Sequence, residues 1–285
     1  MSTDHAARPI ALDDEPLRRL AQAQPRFVSW LGKLAVIVVL IFLILPTAII
    51  IPMSVNASSH LGFPPEDLTL AWYRAYFLDP DWMAATLFSL KIAAGTSLAA
   101  TFIGTLTALA VVRGDLPLKA TVRAIALGPM IVPHVVLGVA LYLVFAPLAL
   151  TGSIWGFLIG HTVLAVPFVV ITVTASLQRM DPALEMAAAS CGATPLRCFF
   201  HVTLPDIAPG VAAGGVFAFI ASFDEATVGF FISDIGGKSI GRKMFEDIDF
   251  NLTPIIAAAS TVVVVASLCL IGIAHLISPS SPTRT

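Results

Sequence analysis

The stretch that decides the fold is residues 124–178, which reads AIALGPMIVPHVVLGVALYLVFAPLALTGSIWGFLIGHTVLAVPFVVITVTASLQ and contains no Asp, Glu, Lys or Arg. A helix needs about 20 mostly apolar residues to cross the hydrocarbon core of a bilayer. The run is too long for one crossing and long enough for two. Pro147, Thr151, Gly152 and Ser153 supply the turn between them. In water so much apolar surface would stay uncovered, so the solvent this stretch implies is lipid.

Working outward, residues 34–53 form an uncharged first candidate span with a kink at Pro46, and residues 92–112 a second one. The second is rich in Gly, Ala and Thr, which suits close helix packing. A fifth candidate covers residues 207–232 and a sixth residues 254–277. The reading is therefore an all-α integral membrane protein with about six transmembrane helices. Its divisions are a cytoplasmic tail over 1–30, a first span over 31–55 and a periplasmic connection over 56–82. A core with five spans over 83–277 and a cytoplasmic tail over 278–285 complete it.

Composition agrees. Of 285 residues, 57% are hydrophobic and 12% charged, roughly half the charge of a soluble domain. Mean hydropathy is +0.90. A net charge of -2 and the lack of a Lys/Arg run exclude a nucleic-acid surface. Cys191, Cys198 and Cys269 form neither an even set nor a CxxC pair, so neither a disulfide framework nor a metal site is expected. With the N-terminus in the cytoplasm, only Arg74, Lys91, Lys238, Arg242 and Lys243 of the 16 Lys and Arg fall on the outer side. That bias favours both termini inside.

Residues 68–82 mix Trp72, Tyr73, Tyr76, Phe77 and Trp82 with Asp79 and Asp81, the composition of a short helix anchored at the outer headgroup level. On the inner side, between the fourth and fifth spans, Asp181-Pro182 starts a small Ala-rich helix that Gly192 ends, and Pro195 starts a second one. Small side chains let another protein's surface approach such a helix closely, so this compact knob is a candidate docking element. Asp224 and Glu225 lie inside an otherwise apolar span, where an ionisable group is costly and marks a candidate solute path. On a regular helix they point about 100° apart, so one would face the path while the other pairs at a helix break. Phe223, Tyr142 and Trp155 are candidate aromatic faces for an ammonium group. His134 and His161 read as packing residues. After the fifth span, Gly236 and Gly237 precede residues 240–248, whose apolar positions recur at three- to four-residue steps. That pattern predicts a short amphipathic outer gate with Met244 and Phe245 covering the mouth and Glu246 and Asp247 meeting a partner.

The inner loop, residues 181–205, resembles the EAA loop of binding-protein-dependent ABC importer permeases. Ala187, Ala188, Gly192, Val202, Leu204 and Pro205 fall in that register, while Met186 stands at the glutamate position with Glu185 just before it. From about Trp72 onward the chain is similar to the spermidine/putrescine branch of that family, most clearly at Ser222-Phe223-Asp224-Glu225 and Gly236-Gly237. The resemblance implies a type I importer permease fold in the bacterial inner membrane. It also implies a second and different permease subunit, two ATPase subunits and a periplasmic binding protein. The coupling residues would be Glu185, Ala187, Ala188, Gly192, Pro195, Leu204 and Pro205. No GxxxxGK[ST] run occurs, so ATP and Mg are expected on the ATPase and no cofactor on this chain. The alternatives are an ion-coupled secondary transporter using Asp224 or Glu225, for which no inverted repeat is visible, and a membrane hydrolase, for which no catalytic constellation is visible.

Overall fold

In the computed structural model, residues 26–234, 238–250 and 253–277 are described. The two tails apart from residues 26–30, and the Gly236–Gly237 pair, lie outside them. Among the described residues every regular element is helical: α1 (Arg26–Ser54), α2 (Ala71–Leu78), α3 (Pro80–Val112), α4 (Lys119–Leu127), α5 (His134–Phe145) and α6 (Ile154–Arg179) come first. They are followed by α7 (Pro182–Ser190), α8 (Pro195–Cys198), α9 (Leu204–Phe223), α10 (Thr227–Ile232), α11 (Ile240–Phe250) and α12 (Ile255–Ile277). The chain divides into two units, residues 1–50 and 51–285. The first contributes an apolar helix whose side chains from Trp30 to Leu45 are exposed on every side, as a lipid-facing span requires.

Five described helices are long and apolar enough to cross a membrane, and one bent pair of segments brings the count to at most six. The segments Lys119–Met130 and His134–Phe145 meet at 103°. The first of the two helices expected within residues 124–178 is therefore found as a bent pair of segments. Pro129 and Pro133 lack backbone donors and bracket the bend, which starts in a tight turn over Gly128–Met130.

The second unit is built on α3, α6 and α9. Their shared core holds Ala100, Ala108, Ala165, Val169, Val173, Leu177, Ile207 and Ala218. In lipid no hydrophobic force draws helices together, so close backbone approach has to supply the attraction. A Cβ added at Gly104 would lie 2.6 Å from Val169 Cβ, which only glycine permits. Ser97 Oγ donates to the Gly215 carbonyl at 2.7 Å across the same packing.

α3 begins at Pro80, well before residue 92. Asp79 Oδ1 accepts from Asp81 N at 2.8 Å and Trp82 N at 3.1 Å, with Pro80 in the first turn. Asp81 and Lys91 lower the hydropathy of this stretch without breaking the helix. Of the aromatics expected at the headgroups, Phe77 is exposed but two others are placed differently. Tyr76 and Trp82 are fully buried with Ile240, Ile256 and Ala259, so they form a satellite core beneath α11 and not a headgroup anchor.

Candidate functional site

The span expected over 207–232 ends at Phe223 and resumes as α10, and the two carboxylates sit in the break. Glu225 Oε1 accepts from Val228 N at 2.8 Å, which caps α10. Its Oε2 lies 2.9 Å from Nδ1 of His134, the first residue of α5. One buried carboxylate thus ties the broken span before α10 to the bend before α5. Asp224 is exposed, and among the described residues its carboxylate has no partner. At 1.5 Å per residue, α9 carries it roughly 30 Å from Leu204, near the opposite side of a bilayer core.

Asp224, Glu225 and His134 share a cavity of about 420 Å³ with Leu164, Phe168 and Ile220. The break brings both carboxylates to one space, which a continuous helix would forbid. Its chemistry is that of a cation site: one free carboxylate, one anchored carboxylate, apolar walls. The aromatic residues picked from sequence do not line it. Phe223 is buried and stacks on Phe219 at 6.0 Å, while Tyr142 and Trp155 are exposed elsewhere. The ring that does line it is Phe168. His134 differs from a packing role through its contact with Glu225, whereas His161 is a buried hydrogen-bonded residue, with Nδ1 2.9 Å from Ser222 Oγ.

At the other end of α9 lies the loop. Asp181 Oδ1 accepts from Ala183 N at 2.9 Å and starts α7, and Gly192 turns the chain at φ +83°. In that left-handed region a Cβ would be strained. Thr194 Oγ1 caps α8, and a five-residue π turn, Phe199–Thr203, leads into α9. Glu185 points inward: its Oε2 is 2.9 Å from Arg113 Nε at the end of α3, and Oε1 accepts from Thr203 Oγ1 at 2.7 Å. Met186, at the family's glutamate position, is 63% exposed. Ala187, Pro195 and Pro205 are exposed beside it, Ala188 and Leu204 half-buried. Leu184 and Leu196 are exposed too, so the knob presents an apolar outer face. Next to it is an open cavity of about 540 Å³ lined by Gly192, Arg197 and His201 among others.

Residues 100–281 match the family described as "Binding-protein-dependent transport system inner membrane component". The chain belongs to that family. This permease is 30% identical over 237 residues to the spermidine/putrescine transport system permease protein PotC of Escherichia coli strain K12, covering 83% of this chain and 89% of the relative. It is 30% identical to the putrescine transport system permease protein PotI of the same strain, with 78% and 81% covered. The molybdenum transport system permease protein ModB of Mycobacterium bovis is 29% identical, with 75% and 87% covered. In fold it resembles the crystal structure of a bacterial ABC transporter involved in import of alginate, with TM-score 0.67, 15% identity and 90% and 96% covered. The inward-facing MetNI methionine ABC transporter gives TM-score 0.59 at 18% identity, with 70% and 98% covered. The permease is therefore a transporter subunit of the type I ABC importer fold and not an enzyme. The hydrolase alternative falls with that membership.

The permease carries α11 as the sequence periodicity predicts. Met244 packs on the Tyr76–Trp82 cluster and Phe245 meets Phe230 at 6.1 Å. The acidic residues differ from expectation, because Glu246 and Asp247 are engaged internally. Glu246 pairs with Lys238 and Arg242, both at 2.9 Å, and Asp247 with Lys243 at 2.8 Å. Burial raises the Glu246 carboxyl, but hydrogen bonds and charge from Lys238 and Arg242 outweigh it and hold its pKa below the usual range. The two Glu246 pairs therefore persist at neutral pH and weaken only as pH falls through that lowered value. Reversing Glu246 and Asp247 to Lys is expected to destabilise α11 by about 1–3 kcal/mol, the sum of three lost pairs and new repulsion. The readout is a lower thermal midpoint of the detergent-purified protein. An unchanged midpoint would show that these pairs hold nothing. Asp249 is exposed and unpaired among the described residues, so it is the carboxylate on α11 available to another protein.

Proposed function

We propose that this permease passes a small aliphatic polyamine, such as putrescine or spermidine, from a periplasmic binding protein into the cytoplasm. It does so as one of two different permease subunits, with α11 as the outer gate. Two ATPase subunits, holding ATP and Mg, dock on the knob of residues 181–205 and supply the energy. The protein sits in the bacterial inner membrane with both termini in the cytoplasm. The observation that carries the solute reading is the unpaired Asp224 in a roomy, apolar-walled cavity. A carboxylate there attracts an ammonium group and repels an oxyanion. The names of PotC and PotI support the same choice.

Labelled putrescine uptake into right-side-out vesicles, with ATP supply and ion gradients varied separately, tests the proposal. Uptake is expected to follow ATP and survive collapse of the gradients, and an ATPase is expected to co-purify. Uptake that follows an ion gradient, or a complex that accumulates only anionic or neutral solutes, would overturn it.

A further inference from the structure

At the same end of the bundle as the knob, a second cavity of about 210 Å³ lies between α3, α4 and α6. Arg123 and Leu127 of α4 line it, together with Val170, Ile171, Thr174 and Gln178 of α6. The α6 positions share one helix face and change from apolar to polar toward Arg179, where that span ends. Ile171 is 46% exposed, so the apolar part opens on the surface of a span and not into the core. On α4, Arg123 lies one turn from Leu127, with Lys119 one turn earlier on the same stripe. Among the described residues neither Arg123 nor Lys119 has an acidic partner. Arg113, at the end of α3, is already paired in charge with Glu185.

An apolar groove in a membrane span that ends at a guanidinium and an amide, with a second cation one helical turn away on α4, is complementary to one kind of molecule. We infer that this groove binds an anionic phospholipid. The phosphate sits on Arg123, whose fork matches phosphate oxygens in a paired geometry, with Gln178 and Lys119 as further donors. The acyl chain lies along Leu127 and Ile171. A second protein subunit covering the groove would have to bring its own buried carboxylate to Arg123, whereas a phospholipid carries the charge at the depth where the cavity ends. The groove needs only that this end of the bundle lies at a membrane surface, whichever solute is carried.

The test is native mass spectrometry of the full chain, with whatever subunits co-purify, after exchange into micelles doped equally with phosphatidylglycerol and phosphatidylcholine. Retained phosphatidylglycerol is expected to exceed phosphatidylcholine. Each of Arg123→Ala and Lys119→Ala should reduce it by about fivefold, as about 1 kcal/mol per cation near a lipid surface predicts. Arg123→Lys should keep most of it, which guards against a fold defect in the alanine variant. Equal retention of the two lipids, or retention indifferent to Arg123→Ala, would overturn the proposal. So would a photo-crosslinker at position 174 that captures protein and no lipid. A permease that carries no putrescine yet keeps its phosphatidylglycerol would sink the solute reading and leave this one standing.

Discussion

Asp224→Asn is expected to lower putrescine uptake about tenfold to a hundredfold while the permease still assembles with its partners. Asn keeps the size and hydrogen-bonding capacity of Asp and removes only the charge. A hydrogen bond to a charged group contributes about 1.5–3 kcal/mol, and in this cavity no other free carboxylate takes over. Glu225 is already committed to His134 and to the Val228 amide. The neighbouring substitution should therefore look different. Glu225→Ala strands a buried amide at the start of α10 and unties the bend before α5, a loss of about 2 kcal/mol or more. It should appear first as poor assembly and a lower thermal midpoint, whichever solute is offered. His134→Gln keeps a donor for Glu225 and should fall between the two. Steady uptake by Asp224→Asn would remove the electrostatic basis of the solute reading. Loss of assembly in that variant would make Asp224 a structural residue.

The two carboxylates also show how far sequence reaches in a membrane protein. Their presence in an apolar span is enough to single them out, because ionisable groups in lipid are expensive. Which of them is free depends on His134, which arrives from a distant segment and follows Pro133. No local pattern announces that meeting. The bend itself is closer to legible. Gly128, Pro129 and Pro133 stand in plain view, but a long hydropathy average registers apolarity and not the missing backbone donors. The start of α3 is hidden the opposite way, since Asp79-Pro80 is a good helix start masked by the charges at Asp81 and Lys91.

Elsewhere local chemistry suffices. Asp181-Pro182, Gly192 and Thr194-Pro195 specify start, stop and restart of the knob because each acts on its own backbone. The three- to four-residue apolar steps of α11 specify its helix for the same reason. The pairing of Arg242 with Glu246 and Lys243 with Asp247 follows from their four-residue spacing. That spacing is visible in the sequence alone, and it leaves Asp249 as the carboxylate without a basic residue four positions away on α11. Tyr76 and Trp82 cannot be placed that way. Aromatics among Asp residues suit a headgroup anchor as well as a small core, and only the cover of α11 decides between them.

The tie between knob and membrane core makes the last expectation. Glu185→Ala should lower uptake about tenfold, a coupling loss of order 1–2 kcal/mol, while the permease keeps its place in the membrane and the complex hydrolyses ATP at its basal rate. Glu185 is the one acidic side chain among the described residues that joins α7 to α3, through Arg113, and to the root of α9, through Thr203. α9 in turn ends at Asp224, so a push on the knob reaches the cavity along one helix only if the knob is fastened to its root. The pair is about three-quarters buried, so its contribution to stability is modest and its geometric role is the larger one. Arg113→Ala should reproduce the defect, and the double variant should be no worse than either single one, because both remove the same contact. Met186→Glu restores a carboxylate at the family position but aims it at solvent, away from Arg113, and should not rescue Glu185→Ala. If Glu185→Ala retained full uptake, α7 would have to transmit through its apolar outer face alone. If Met186→Glu did rescue it, the acidic contact would belong to the docking surface, and the inward pair with Arg113 would be only structural.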